Sequence, residues 1–228
     1  MSGDFHKDER GVYRVRSLDH LAWLEHGFGT RSATVWRHDP RIVALHQIHS
    51  GLSVEATGPA GRIGDGDALL TRVPGLLLSV RTADCFPILI ADPEHRAVAA
   101  VHAGWRGVVE RITANAVAAM AERFESRPAA LLAAIGPGIG ACCYEVGPEV
   151  GAQFQPLFPE RADLGERSRV DLAEANRRLL VAAGIPAAQI ALAGLCTSCL
   201  EEEFHSYRRD RHGAGRMLSV IGIRLRST

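Results

Sequence analysis

Lysine is almost missing from this chain: Lys7 is the only one, and the rest of the positive charge is arginine. Charge of either sign is not in excess, since Lys plus Arg (26) equals Asp plus Glu (26). Binding to nucleic acid or to an anionic membrane surface ordinarily leaves a basic surplus, so neither is expected as a partner and a small molecule becomes the default ligand. Long apolar runs are also missing. The runs 76–80 and 88–91 are separated by Arg81 and Asp84, and nothing approaches the roughly 20 residues of a membrane-spanning helix. Residues 1–16 carry charges throughout and lack the apolar segment of a secretory leader, so a cytoplasmic location is expected. Five cysteines, an odd number, do not describe a disulfide framework, and in a reducing compartment they would serve as thiols or metal ligands.

What is present is ordinary for a globular protein: 46% apolar and 23% charged residues over 228 positions, enough for one substantial core. A single domain over 1–228 is expected. The patterning predicts strands at 41–48, 67–71, 76–80, 87–91, 97–101, 131–135, 190–195 and 217–223, from short apolar or alternating runs bounded by turn residues. Gly27-Phe28-Gly29 reads as a turn, and 58–66, rich in Gly and Pro, as a loop. Helices are predicted over 108–124, which lacks Gly and Pro, and over 171–183, which stops at Gly184 and Pro186. Strands interspersed with helices and no internal repeat give an α/β or α+β class, with mixed sheet layers flanked by helices.

Three soft or borderline metal ligands, His49, Cys85 and His102, each fall where a predicted strand ends. Zinc accepts imidazole nitrogen and thiolate sulfur, and catalytic sites commonly combine three protein ligands with a position for water or substrate. The same residues admit a second reading, in which Cys85 is a nucleophile activated by a histidine and oriented by Asp84. Spacing alone does not separate the two. Gly136-Pro137-Gly138-Ile139-Gly140 is a candidate backbone cradle for a phosphate or sugar around Gly138, although it lacks the GK[ST] ending of a P-loop and is equally a tight structural turn. Glu145 is a candidate proton carrier, against the blander reading of an exposed carboxylate. Cys196-Thr197-Ser198-Cys199 has CxxC spacing, but a redox pair belongs at a helix start and a zinc knuckle requires a second ligand pair; neither context is read around it. The arginines of 204–211, Arg208 among them, suit bidentate recognition of phosphate.

Gln47-Ile48-His49-Ser50, Gly66-Asp67-Ala68, Thr82-Ala83-Asp84-Cys85-Phe86-Pro87 and His102-Ala103-Gly104-Trp105-Arg106-Gly107 resemble, in that order, motifs of the laccase-domain or multicopper polyphenol oxidase family. The resemblance continues through 135–147 and 204–216, with a motif-bearing core of about 42–222. It implies zinc held by His49, Cys85 and His102, and a purine nucleoside phosphorylase that cleaves adenosine, inosine and 5′-methylthioadenosine with phosphate, with adenosine deaminase activity beside it. Under that reading Asp84, Cys85 and Glu145 are catalytic candidates, and Arg31, Arg106, Gly138 and Arg208 are candidates for holding substrate or phosphate. The older label, copper-dependent phenol oxidation, needs several copper sites, and only one His-rich cluster is read here. A zinc or cysteine hydrolase acting on peptidoglycan precursors stands as an alternative, as does a non-catalytic nucleotide-binding protein whose zinc is closed by Cys143 or His46. One departure from the family pattern is the short connection, 32–46, between Thr30-Arg31 and the Gln47–His49 motif.

Overall fold

The computed structural model describes residues 3–225; residues 1–2 and 226–228, the ends of the domain expected over 1–228, lie outside it. In chain order the first elements are β1 (Phe5–Lys7), β2 (Val12–Val15), α1 (Arg16–Asp19), β3 (Leu24–Gly29) and β4 (Ile42–His46). Then come β5 (Ser53–Glu55), β6 (Gly61–Asp65), β7 (Ala68–Thr71), β8 (Leu77–Thr82), β9 (Phe86–Asp92) and β10 (Ala97–Ala103). Two helices follow, α2 (Trp105–Val109) and α3 (Ile112–Phe124), and then β11 (Leu132–Ile135), β12 (Glu145–Val146), α4 (Pro148–Gly151) and β13 (Ser168–Arg169). The chain closes with α5 (Leu172–Ala182), β14 (Ile190–Leu192), α6 (Tyr207–Asp210) and β15 (Met217–Ile223).

The protein is a mixed α/β structure built in layers. A seven-stranded sheet runs β1-β2-β3-β15-β8-β4-β6 and a six-stranded sheet runs β14-β11-β9-β10-β7-β5. Both mix parallel and antiparallel neighbours: β4 is parallel to β8, whereas β9 and β10 form the antiparallel hairpin expected from 87–101. Strand alternation decides which side chains enter which layer. From β9 and β10, Leu89, Ala91, Val98 and Ala100 turn toward Phe28, Val80 and Ile221 of the larger sheet and make the core between the sheets. Their neighbours Ile88, Ile90, Ala99 and Val101 turn the other way, onto Ile112, Val117 and Met120 of α3 and Leu179 of α5. Both faces of β9 and β10 are therefore buried, which is why these strands read as continuous apolar runs.

Three expectations are corrected. Gly27-Phe28-Gly29 lies within β3, because the glycine is required there for close approach: a Cβ on Gly27 would sit 2.6 Å from Val12 and 2.7 Å from Trp36. The 58–66 loop contains β6, a strand with almost no apolar residue, recruited by parallel pairing to β4. The helix expected over 108–124 is two helices, α2 starting earlier at Trp105, separated at Arg111 in the left-handed region (φ 61°). The helix expected over 171–183 is α5, capped by Asp171, whose side chain accepts from the Glu174 N–H at 2.9 Å. No helix among the described residues is long and apolar enough to cross a membrane.

Candidate active site

The strand order delivers the three candidate ligands to one place. β4 and β8 run parallel in the larger sheet and end on the same side, and the turn after β8 carries the chain across to β9 in the smaller sheet. His49 follows β4, Cys85 lies in the crossing turn, and His102 is near the end of β10, paired with Pro87 at the start of β9. Their donor atoms lie within 4.8 Å of one another, so His49, Cys85 and His102 form a group able to hold a metal ion. Cys85 Sγ is 3.9 Å from His49 Nε2, and the two imidazoles meet edge to face with centroids 4.9 Å apart.

One carboxylate organises this cluster. Asp67 Oδ1 accepts from His102 Nδ1 at 2.7 Å, and the Asp67 carbonyl accepts from the His102 backbone N–H at the same distance. That bond leaves His102 Nε2 to face Cys85, the arrangement in which an outer carboxylate fixes the tautomer of a metal ligand. Asp67 Oδ2 accepts from the backbone N–H of Ser50 at 2.5 Å and from its hydroxyl at 2.8 Å. Those two bonds tie down the bend at His49, whose φ of 59° is left-handed, a conformation uncommon for a non-glycine residue.

The electrostatics follow from these contacts. Burial alone would push the Cys85 thiol up, but hydrogen bonds from His102 and His49 outweigh it and bring the pKa down to about 6. Burial would lower His102, yet Asp67 and the Cys85 thiolate raise it to about 9. Asp67 is itself held down to about 2: burial opposes ionisation, and the bonds from His102 and Ser50 overcome it. These contacts favour the thiolate at Cys85, the form of sulfur that binds a metal. Gly104 leaves room for it, since a Cβ there would lie 2.9 Å from both Cys85 Sγ and His49 Cδ2.

The cluster opens into a cleft of about 970 Å³ that also receives Arg62, Arg81, Arg106, Arg208, Arg211 and Arg216. The only carboxylate lining it is Asp84, and none of the six arginines makes an ion pair among the described residues. Arg106 lies over the Trp105 ring at 4.4 Å and Arg208 over the Tyr144 ring at 5.2 Å. Arg208 also donates through Nη1 to the carbonyls of Cys143 and Glu145. Burial raises the Tyr144 phenol well above its usual range, so it stays neutral.

Of the residues singled out in the sequence, His49, Asp84, Cys85, His102, Arg106 and Arg208 converge on this cleft. Asp84 is buried with both carboxylate oxygens engaged: Oδ1 accepts from the Thr197 hydroxyl at 2.7 Å and Oδ2 from the Arg208 backbone N–H at 2.6 Å. Three candidates lie elsewhere. Glu145 is exposed and its carboxylate meets Arg167 at 3.0 Å. Arg31 lines a neighbouring cleft and donates to the Glu201 carbonyl at 2.6 Å. The glycine turn is not an open cradle: the N–H groups of Gly136, Gly138, Ile139 and Gly140 go to Pro87, Leu195, Asp84 and Cys196, and Gly138 is small because Phe86 packs against it. His46 pairs with Asp65 at 3.1 Å and Cys143 lies against Cys199, so neither closes the His49–Cys85–His102 group.

Sequence reasoning passed over Asp67 as a functional group, although it immediately precedes β7, the strand paired with β10 beside His102. Arg211, from the 204–211 run read as suited to phosphate, also lines the cleft, whereas Arg62, Arg81 and Arg216 were passed over as site residues.

Comparison with known proteins places these features in context. The profile described as multi-copper polyphenol oxidoreductase laccase matches residues 29–224, wider than the 42–222 core read from the motifs. A Deinococcus radiodurans protein named purine nucleoside phosphorylase is 44% identical over 186 residues, covering 78% of this chain and 69% of the relative. A protein named adenosine deaminase RL5, from an unknown prokaryotic organism, is 36% identical over 190 residues, covering 81% of this chain and 71% of its own length. The crystal structure of YlmD from Geobacillus stearothermophilus superposes with a TM-score of 0.88 at 31% identity, over 97% of this chain and 99% of that one.

Proposed function

The chain belongs to the multi-copper polyphenol oxidoreductase laccase family, and from that premise and the cleft we propose that it is a zinc-dependent purine nucleoside phosphorylase acting on adenosine, inosine and 5′-methylthioadenosine, with adenosine deaminase activity at the same centre. The observation that carries this reading is the combination of a three-residue group able to hold a metal with a cleft wall of guanidinium groups that have no ion-pair partner among the described residues. The relatives named for phosphorolysis and for deamination support it.

Zinc suits His49, Cys85 and His102, because two imidazole nitrogens and a thiolate sulfur are its preferred donors and three protein ligands leave a position for substrate. When bound, it supplies positive charge against negative charge developing on the substrate. Asp67 holds His102 in the ligating tautomer and fixes the bend at His49. In phosphorolysis a phosphate oxygen bonds to C1′ as the bond from C1′ to N9 breaks, and the electron pair leaves with the purine, which takes up a proton. Arg106, which has no hydrogen-bonded partner among the described residues, and Arg208 hold the phosphate against C1′, a task suited to charge-assisted bonds in a cleft. Asp84 acts as a positioning residue: it fixes the Arg208 backbone and the Thr197 loop rather than serving as a free base. Trp105, Tyr144 and Tyr207 offer flat surfaces for the purine. Phenol oxidation through several coppers fits poorly, since among the described residues two imidazoles converge at one metal-binding group only.

Base release from adenosine, measured with and without phosphate on the purified protein and its His102→Ala variant, tests the proposal. Phosphate-dependent adenine release that falls at least 100-fold in the variant, together with lost metal, is the expected result. Metal-loaded protein that yields neither free base nor inosine would sink it.

A further inference from the structure

Outside the catalytic cluster the fold assembles a second group of soft ligands. Cys142 and Cys143 follow the glycine turn, and Cys196 and Cys199 lie more than fifty positions later, yet the four sulfurs all lie within 4.8 Å of one another. Cys199 Sγ is 3.5 Å from Cys142 Sγ and 3.4 Å from Cys143 Sγ. The partner pair that the isolated CxxC lacked in the sequence is therefore supplied from across the fold. We propose that Cys142, Cys143, Cys196 and Cys199 form a second metal site, a closed tetrathiolate centre suited to zinc, separate from His49, Cys85 and His102.

Four features carry this beyond proximity. Tetrahedral zinc with Zn–S bonds of about 2.3 Å sets its sulfurs about 3.8 Å apart, close to the spacing already present, so the ligands need only small adjustments. Two disulfides could also use all four sulfurs, but Cys199 stands almost equally near Cys142 and Cys143, an arrangement that shared coordination accounts for and pairwise bonding does not. The Gly140 N–H points at Cys196 Sγ at 3.2 Å, the kind of backbone donor that stabilises a metal-bound thiolate. Gly140 is also small where the sulfurs crowd: a Cβ would stand 3.1 Å from Cys142 Sγ and 3.4 Å from Cys196 Sγ. Finally, the Arg209 guanidinium, itself anchored on Asp210 at 2.7 and 2.8 Å, donates to the carbonyls of Thr197 and Ser198 and braces the backbone inside the CxxC loop.

Binding is balanced by protons: four thiols release four H⁺ as one Zn²⁺ enters, so affinity rises with pH. With four protein ligands the centre has no open position and is structural. Its consequence lies in the cleft. Cys196 pairs with Gly138 in an isolated bridge, Thr197 donates to Asp84, and Ile139 and Tyr144 line the cleft beside Cys85. The second metal thus clamps the segment 138–144 to 196–199 and holds one wall of the catalytic cleft.

Metal content per chain and cobalt(II) spectra test this on full-length protein purified in reducing buffer and reloaded with zinc. The wild type should carry about two ions, and His102→Ala and the double variant Cys196→Ser/Cys199→Ser about one each. Cobalt-substituted His102→Ala should show the thiolate charge-transfer band of a tetrathiolate centre, saturating at about one equivalent. Should the cysteine variant fail to fold, alkylation mapped by mass spectrometry on the wild type decides: zinc should slow labelling of all four cysteines together. Metal lost entirely in His102→Ala, equal labelling with and without zinc, or recovery of these cysteines as disulfides under reducing conditions would each overturn the site. None of these readouts depends on nucleoside turnover, so they stand apart from the proposed activity.

Discussion

Asp67 and Gly104 both pack against the His49–Cys85–His102 group, one through hydrogen bonds and the other through its lack of a side chain. Asp67 accepts from His102 on one oxygen and from Ser50 on the other, so Asp67→Asn keeps the shape while removing the charge that holds the imidazole. A 10- to 100-fold loss of zinc affinity is expected, measured by competition with a chromophoric chelator. Unchanged affinity would mean that the carboxylate serves folding alone. Gly104 acts through space, because the 2.9 Å that a Cβ would leave to both Cys85 and His49 is closer than real Cβ contacts come. Gly104→Ala should therefore bind no zinc at the catalytic centre while keeping a native circular dichroism spectrum, and full metal retention would contradict this account. The His49, Cys85 and His102 trio was legible in the sequence because ligand type and strand ends are both local properties. Asp67 was not, because an aspartate before a strand is ordinary until that strand is paired with β10.

Among the elements, β2 and β3 are joined by a titratable group. His26 on β3 is fully buried and its Nε2 accepts from the Val15 N–H at 3.0 Å, at the end of β2. Burial first, then the nearby Arg14, His6 and Arg224, lowers its pKa from 6.5 to about 3. The unfolded chain therefore takes up a proton below pH 6.5 that the folded chain refuses until about pH 3. Stability is full above pH 6.5 and is lost progressively as pH falls toward 3, at about 1.4 kcal/mol per pH unit, or about 2 kcal/mol by pH 5. Urea midpoints between pH 7 and 5 should show this slope, and His26→Gln, which can still accept from Val15, should flatten it. The same scale shows why periodicity misread the segment after β10. Residues 108–124 have helical composition throughout, and only the packing of α2 against α3 and α5 places the left-handed break at Arg111.

For the whole molecule, charge balance conceals charge placement. The chain is neutral in sum, yet its cleft gathers six arginines around one already bonded carboxylate. A phosphate substrate should feel that field strongly, so its KM should rise with ionic strength, while Arg106→Ala raises the phosphate KM about 10- to 100-fold with a smaller effect on kcat. An Arg106→Ala enzyme with unchanged phosphate KM would remove the guanidinium from the phosphate site. The sequence by itself determined what depends on neighbours along the chain: the layered α/β class from apolar periodicity, most strand and helix positions, the candidate trio His49, Cys85 and His102, and the family through its ordered motifs. Only the tertiary structure decided what depends on residues far apart in the chain. It engaged the glycine turn's amides within the fold, turned Glu145 and Arg31 away from the cleft, focused scattered arginines into it, and joined Cys142 and Cys143 to a CxxC that looked alone. The physical reason is common to all four: hydrogen bonds, Coulomb fields and metal coordination act over a few ångströms of space, and sequence order does not encode which distant segments will share that space.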